Sequence, residues 1–156
     1  MQTLVLSLLG LLVNTFRGSR LTKIPFLKRA YYTLYALFRP KDLTLLHLTD
    51  FKLLVNPEDE GLASFLITTG VYEPYEIGLI RRVLQPGDTV LDVGANIGYH
   101  SIALAQTVGS TGRVISCEPC PDNYRLLRQN LELNNLTDRV LPVECAAGRA
   151  PGQTRL

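Results

Sequence analysis

The means to build a disulfide framework is the first thing this sequence lacks. Its 156 residues hold three cysteines, an odd number with no clear export signal, which argues for a reducing compartment and makes the cytosol the default location. Cys117 and Cys120 form a CxxC, but Pro119 and Pro121 interleave it and no second pair exists. Cys145, His47 and His100 add no recognisable zinc spacing, so small apolar packing is the preferred role for the thiols over metal or redox chemistry. Low-complexity tracts and internal repeats are also missing. With 46% hydrophobic and 19% charged residues, the composition is that of a folded chain, and the length suits one domain.

A membrane-spanning run is absent too. Residues 4–13 are apolar apart from Ser7 and Gly10, but a transmembrane helix needs ~20 such residues. Met1, Gln2 and Thr3 carry no positive charge, and the basic residues follow the apolar run, the reverse of a signal peptide. The pattern predicts a helix that lies on the protein or on a membrane surface. The net charge of +2 conceals an asymmetry: residues 1–56 hold eight Lys/Arg against two Asp/Glu, the remainder eight against twelve. A basic third can signal nucleic acid or anionic lipid. Solvated helix faces give the same count, and nucleic acid is not the expected partner.

The dinucleotide fingerprint GxGxxG is the last absence, and it frames what is there. Residues 90–101 read VLDVGANIGYHS: a short apolar run broken by Asp92, then Gly94, Ala95, Asn96 and Gly98, then a helical pattern over 97–106. That is strand, tight loop, helix. Glycines let a backbone turn sharply and approach a ligand closely, and the N-terminus of a helix favours a carboxylate or phosphate. Asn96 stands where the middle glycine of a pyrophosphate loop would be. Asp92 would repel a pyrophosphate but receive a cationic amine. A ligand with an amino acid end and a nucleoside end therefore fits best, and a loop with no ligand is the plainer alternative.

Around this loop the chain reads as alternating elements. An amphipathic helix is expected over 26–38 with Phe26, Ala30, Leu34 and Phe38 on one stripe widened by Leu27, Tyr31, Tyr35 and Leu37. A hairpin is expected over 43–55 around Thr49-Asp50, then a short helix over 59–69 stopped by Gly70. Pro74 opens a further helix with Ile77, Ile80, Val83 and Leu84 on one face. After the loop come a strand over 114–117 ending at Glu118, a helix over 122–134 with Leu127 and Leu131 inward, and a strand over 140–145. Glu118 lies twenty residues past Gly98, where nucleotide-binding α/β folds place an acid on the ribose hydroxyls. Ala146 and Ala147 are small enough to let an adenine ring lie against them.

The loop resembles that of class I S-adenosylmethionine-dependent methyltransferases, and the wording LDVGANIGYHS, together with GVYEPYE before it and Glu118-Pro119 and NLELNN after it, is similar to the FkbM-type family within them. The resemblance runs from about Leu45 to Ala147. It implies a Rossmann-like α/β fold with parallel strands, S-adenosylmethionine as cofactor, and methyl transfer to a hydroxyl on a small molecule or sugar. On that reading Gly94, Ala95, Asn96 and Gly98 shape the loop around the methionine end, Asp92 receives the amino group, Glu118 with Pro119 holds the ribose, and Tyr72 and Glu73 edge the site. Glu73 as a plain helix cap is the competing reading. Class I enzymes resemble one another in a seven-stranded sheet ordered 3-2-1-4-5-7-6, and only the first three core strands can be placed before Leu156. The expectation is thus a fold truncated after the third core strand, with a helical extension over 1–42, a hairpin and lead-in helices over 43–85 and the cofactor half-domain over 86–156. No catalytic base can be assigned. Self-association or a separately encoded C-terminal half would close the sheet, and a non-catalytic cofactor-binding or membrane-docking module is the alternative function.

Overall fold

A computed structural model describes residues 2–16, 24–150 and 152–153, which divide into two compact units, Met1–Leu48 with Val55–Tyr72 and Thr49–Leu54 with Glu73–Leu156. Arg17, Arg20 and Lys23, part of the basic segment noted above, lie outside the described residues.

In the first unit, α1 (Gln2–Phe16) extends the apolar run at both ends, and α2 (Pro25–Phe38) starts on a proline at its first turn, where the missing N–H costs nothing. A glycine inside α1 weakens the helix by ~1 kcal/mol relative to alanine. Its use is steric: a Cβ on Gly10 would sit 1.8 Å from the Thr68 carbonyl oxygen, in α3 (Leu62–Thr69). Leu6, Leu9 and Tyr35 form the buried cluster, with Val5, Tyr31, Phe38 and Ile67 against it. The buried stripe of α2 is therefore Tyr31, Tyr35 and Phe38, and Phe26, Leu34 and Leu37 of the expected stripe are exposed. Hydroxyl groups decide between the two stripes: Tyr35 donates to the Pro57 carbonyl at 3.0 Å and Tyr31 to that of Ser64 at 3.2 Å, satisfying the polar tips that burial demands. Burial also raises the Tyr35 phenol far above its ordinary range. The third helix begins later than expected because Asp59 caps it, accepting from the Gly61 and Ala63 N–H groups at 2.7 and 3.3 Å. Gly70 ends it in the left-handed region at φ 71°, which a glycine adopts without a Cβ penalty.

The expected hairpin is present as β1 (Thr44–His47) and β2 (Lys52–Val55), a two-stranded sheet.

The second unit runs α4 (Pro74–Val83), β3 (Thr89–Val93), α5 (Tyr99–Val108), β4 (Arg113–Cys117), α6 (Pro121–Leu133) and β5 (Val140–Val143). The three strands form a parallel sheet in the order β3-β4-β5, with Leu91 opposite Ile115 opposite Leu141, and Val93 opposite Cys117 opposite Val143. Side chains alternate across a pleat, so the intervening residues make the other face. There Val114, Ser116 and Val140 are buried, while α5 packs on β3 and β4 and α6 on β5. Leu91, Val93 and Leu141 are 60%, 56% and 60% exposed, although parallel sheets are ordinarily covered on both faces. Of the four residues expected on one face of α4, Ile77, Ile80 and Leu84 are half-buried and Val83 is exposed, and no residue of the helix is fully buried; among the described helices and strands its close neighbour is α5.

Two asparagines join α6 to the backbone of β2 within this unit. Asn130 accepts from the Leu54 N–H at 2.6 Å and donates to the Leu54 carbonyl at 3.0 Å. One turn later Asn134 repeats the pattern on Lys52, at 3.0 and 2.7 Å. Residues four apart share a helix face, and backbone groups two apart share a strand edge. The NLELNN segment thus presents two amides to one edge of β2.

Candidate functional site

At the end of β3 the chain folds back over the neighbouring strand: the N–H groups of Gly94 and Ala95 both donate to the Cys117 carbonyl, at 2.9 and 3.0 Å. Gly94 has φ 81° and open space where a Cβ would project. Asn96 adopts φ 50°, uncommon for a residue with a side chain and tolerated best by Asn, Asp and His. Gly98, at φ 93°, is required twice over, since a Cβ there would lie 2.7 Å from Leu127 Cδ1 of α6. Its carbonyl accepts from Ile102 N at 3.0 Å as α5 starts. From the other side, Asn130 Nδ2 donates to the Ile97 carbonyl at 2.8 Å, so one buried amide holds both this loop and β2.

Glu118 stands at the end of β4, 5% exposed. Its Oε2 accepts from the Asn96 N–H at 2.7 Å, and its Oε1 from the Cys120 N–H at 2.9 Å. The glycine loop and the expected ribose acid are thereby in direct contact. Each carboxylate oxygen has a second lone pair, which leaves capacity for two hydroxyl donors. Pro119 sits between Glu118 and Cys120 in the short turn that brings that second N–H back to the carboxylate. Asp92 Oδ2 accepts from Ser101 Oγ at 2.6 Å, and Ser101 accepts in turn from Ser116 Oγ at 2.9 Å. This hydroxyl chain, with both serines fully buried, orients the Asp92 carboxylate while the residue stays half-buried.

The remaining candidates are placed unequally. Glu73 occupies the cap position of α4 at φ 43°, where its carbonyl accepts from the Ile77 N–H at 3.2 Å and its side chain makes no capping bond. Its Oε2 lies 3.3 Å from His100 Nε2, linking the lead-in helix to the first turn of α5. Ala146 is exposed beyond β5, and Tyr72 belongs to the other unit. Sequence reasoning weighed His100 as a metal ligand and missed this pairing; its position two residues past Gly98 was the available signal. Ser101, Ser116 and Asn130 were missed as well. Burial, followed by the neighbouring Cys145 thiol and the charge of Asp92, pushes the Cys117 thiol above its ordinary range; the thiol that acts on it is that of Cys145, not the Cys120 of the CxxC.

The donor set fits a ligand with an ammonium, a carboxylate and a ribose: an oriented acid at Asp92, the N-terminus of α5, and a half-satisfied carboxylate at Glu118, with open space over Gly94. That is the inventory of S-adenosylmethionine.

Comparison with known proteins agrees on the class. Residues 73–152, just over half of the chain, match the TRM5/TYW2 methyltransferase domain. The chain is similar to the protein-L-isoaspartate O-methyltransferase of Aeropyrum pernix, 45% identical over 60 residues covering 35% of this chain and 23% of that protein. It is also similar to the ribosomal RNA large subunit methyltransferase E of Lawsonia intracellularis, 36% identical over 67 residues covering 39% and 34%. In three dimensions it resembles P. horikoshii TYW2 in complex with MeSAdo, with a TM-score of 0.54 and 21% identity over 74% of this chain and 40% of that one, a likeness of fold. The chain spans only 23% to 42% of the length of the curated relatives it matches. These proteins support a class I methyltransferase and do not single out the FkbM-type branch. Their names include RNA and protein substrates, so neither the expected small-molecule acceptor nor the expected exclusion of nucleic acid finds support in them.

Proposed function

Since the chain belongs to the TRM5/TYW2 methyltransferase domain family over residues 73–152, we propose that its second unit forms the S-adenosylmethionine-binding part of a methyltransferase. The observation that carries this reading is the 2.7 Å bond from the Asn96 N–H to Glu118, which fixes the glycine loop and the strand-end acid as one cradle. In it Asp92 receives the ammonium group, Gly94, Ala95, Asn96 and Gly98 shape the surface for the methionine end, and Glu118 with Pro119 holds the ribose. Glu73 and Ala146 edge it. The cofactor supplies an electrophilic methyl group on a sulfonium; the residues named bind and orient it. A bound acceptor must then approach from the side that the cradle leaves open.

For the acceptor we propose a hydroxyl oxygen on a small molecule or sugar, as the resemblance to FkbM-type enzymes implies. A nucleic acid acceptor is the second reading, favoured by the similarity to a ribosomal RNA large subunit methyltransferase. Charge weighs against it, because residues 49–54 and 73–156 hold nine Lys/Arg against ten Asp/Glu, and a nucleic acid surface relies on clustered cations. Transfer of labelled methyl from S-adenosylmethionine to a panel of sugars, hydroxylated metabolites and tRNA separates the readings. Label on hydroxylated small molecules supports the first and label on tRNA alone the second; cofactor binding without transfer supports the non-catalytic module.

The exposed row of Leu91, Val93 and Leu141 is, in this reading, a face that further strands and helices cover, whether from a second copy or from a separately encoded partner. Exposed apolar patches and sheet edges drive association. The purified 156-residue chain is expected to run as an oligomer in light scattering, and Leu91→Lys with Leu141→Lys to shift it toward monomer. A monodisperse wild-type monomer would contradict the assignment of this face.

A further inference from the structure

The first unit carries an apolar surface that its own packing does not use. Along α1, Leu6, Leu9 and Gly10 face the rest of the unit. Leu4, Leu8, Leu11 and Leu12 point outward, with Leu4 and Leu11 64% and 63% exposed, at the i, i+4, i+7, i+8 spacing of one helix face. No charged residue occurs among the first sixteen. Charge then becomes one-sided: the first 41 residues hold seven Lys/Arg and no Asp/Glu, Asp42 being the first acid. Among the described cations, Lys28 and Arg29 are exposed in the first turns of α2.

We propose that this face docks on the surface of an anionic phospholipid bilayer. The helix lies in the interface with its leucine row among the acyl chains, and the flanking cations meet the lipid phosphates. Among the described residues no helix is long and apolar enough to cross a membrane, so the contact is peripheral. Each basic residue near such a surface adds to the attraction, which falls off within a Debye length. The leucine row supplies the part that salt does not screen. A nucleic acid would use the cations but has no use for four outward leucines, which is why a bilayer is the occupant the surface fits.

The test is co-sedimentation of the full chain with vesicles of phosphatidylcholine alone and of phosphatidylcholine containing phosphatidylglycerol, at low and high salt. Binding is expected to the anionic vesicles and to weaken at high salt. Leu8→Glu with Leu11→Glu should abolish it while leaving the circular dichroism spectrum unchanged. Lys28→Glu with Arg29→Glu, exposed and independent of the leucine row, should weaken it by at least about tenfold. Equal binding to neutral vesicles, or no binding to anionic ones, would overturn the proposal. So would retention of a short RNA by the leucine variant in the absence of vesicle binding by the wild type, because the cations would then serve nucleic acid.

Discussion

Asn130→Ala is expected to destabilise the second unit by ~3 kcal/mol or more, the largest effect of any single substitution considered for the site. The side chain is fully buried and satisfies three backbone groups, the N–H and carbonyl of Leu54 and the carbonyl of Ile97. A buried polar group left without its partner costs ~1 to 3 kcal/mol, and alanine abandons all three while leaving a cavity that water fills only in part. Because Ile97 belongs to the glycine loop, cofactor affinity should fall with stability. Asn134→Ala is the internal comparison: this half-buried residue makes the same pair of bonds one turn later, but those bonds are open to solvent, where water replaces the amide, and it should cost under ~1 kcal/mol. Urea unfolding followed by circular dichroism measures both. Equal effects from the two would show that burial of the Asn130 amide is not what matters.

Glu118→Ala should leave the fold standing and weaken cofactor binding by ~1 to 3 kcal/mol, about five- to 150-fold. The wild-type carboxylate does two things at once. It holds the Asn96 and Cys120 N–H groups, which sets the loop, and its remaining lone pairs are placed to accept from the ribose. Glu118→Gln separates these roles: the amide keeps the volume and one acceptor oxygen but turns a donor toward one of the two N–H groups. An intermediate loss is expected for it. Unchanged affinity in both variants would make Glu118 a residue that shapes the loop and does nothing else.

The elements of the cradle were legible in the sequence because their causes are local. A glycine needing positive φ, a proline at a helix start and an acid at a fixed distance beyond the loop each leave a mark at a definite position, and Gly98, Pro74 and Glu118 stand where those marks put them. The partners were not legible. Asn130 reads as an ordinary polar residue on an amphipathic helix until β2 is known to lie beside it, and nothing in a CxxC says that the neighbouring thiol will come from Cys145 across the sheet. The stripe of α2 was misjudged because its apolar residues fit two overlapping faces, and only the positions of the Pro57 and Ser64 carbonyls choose the one bearing Tyr31 and Tyr35. Apolar residues on both faces of β3 likewise hid the exposure of Leu91 and Val93. The branch of the class was legible only as a resemblance, since a glycine loop of this kind reports the cofactor, and the acceptor is read by residues elsewhere.

Calorimetric titration of the full chain with S-adenosylhomocysteine and, separately, with NAD tests the central claim most directly. Both ligands carry an adenosine that Glu118 can hold, so they differ in what the loop must accept at the other end: an amino acid, or a pyrophosphate facing Asp92 and lacking the middle glycine that Asn96 replaces. The account predicts saturable binding of S-adenosylhomocysteine and at least tenfold weaker binding of NAD, a difference of ~1.4 kcal/mol. Tighter binding of NAD, or equal binding of the two, would contradict it.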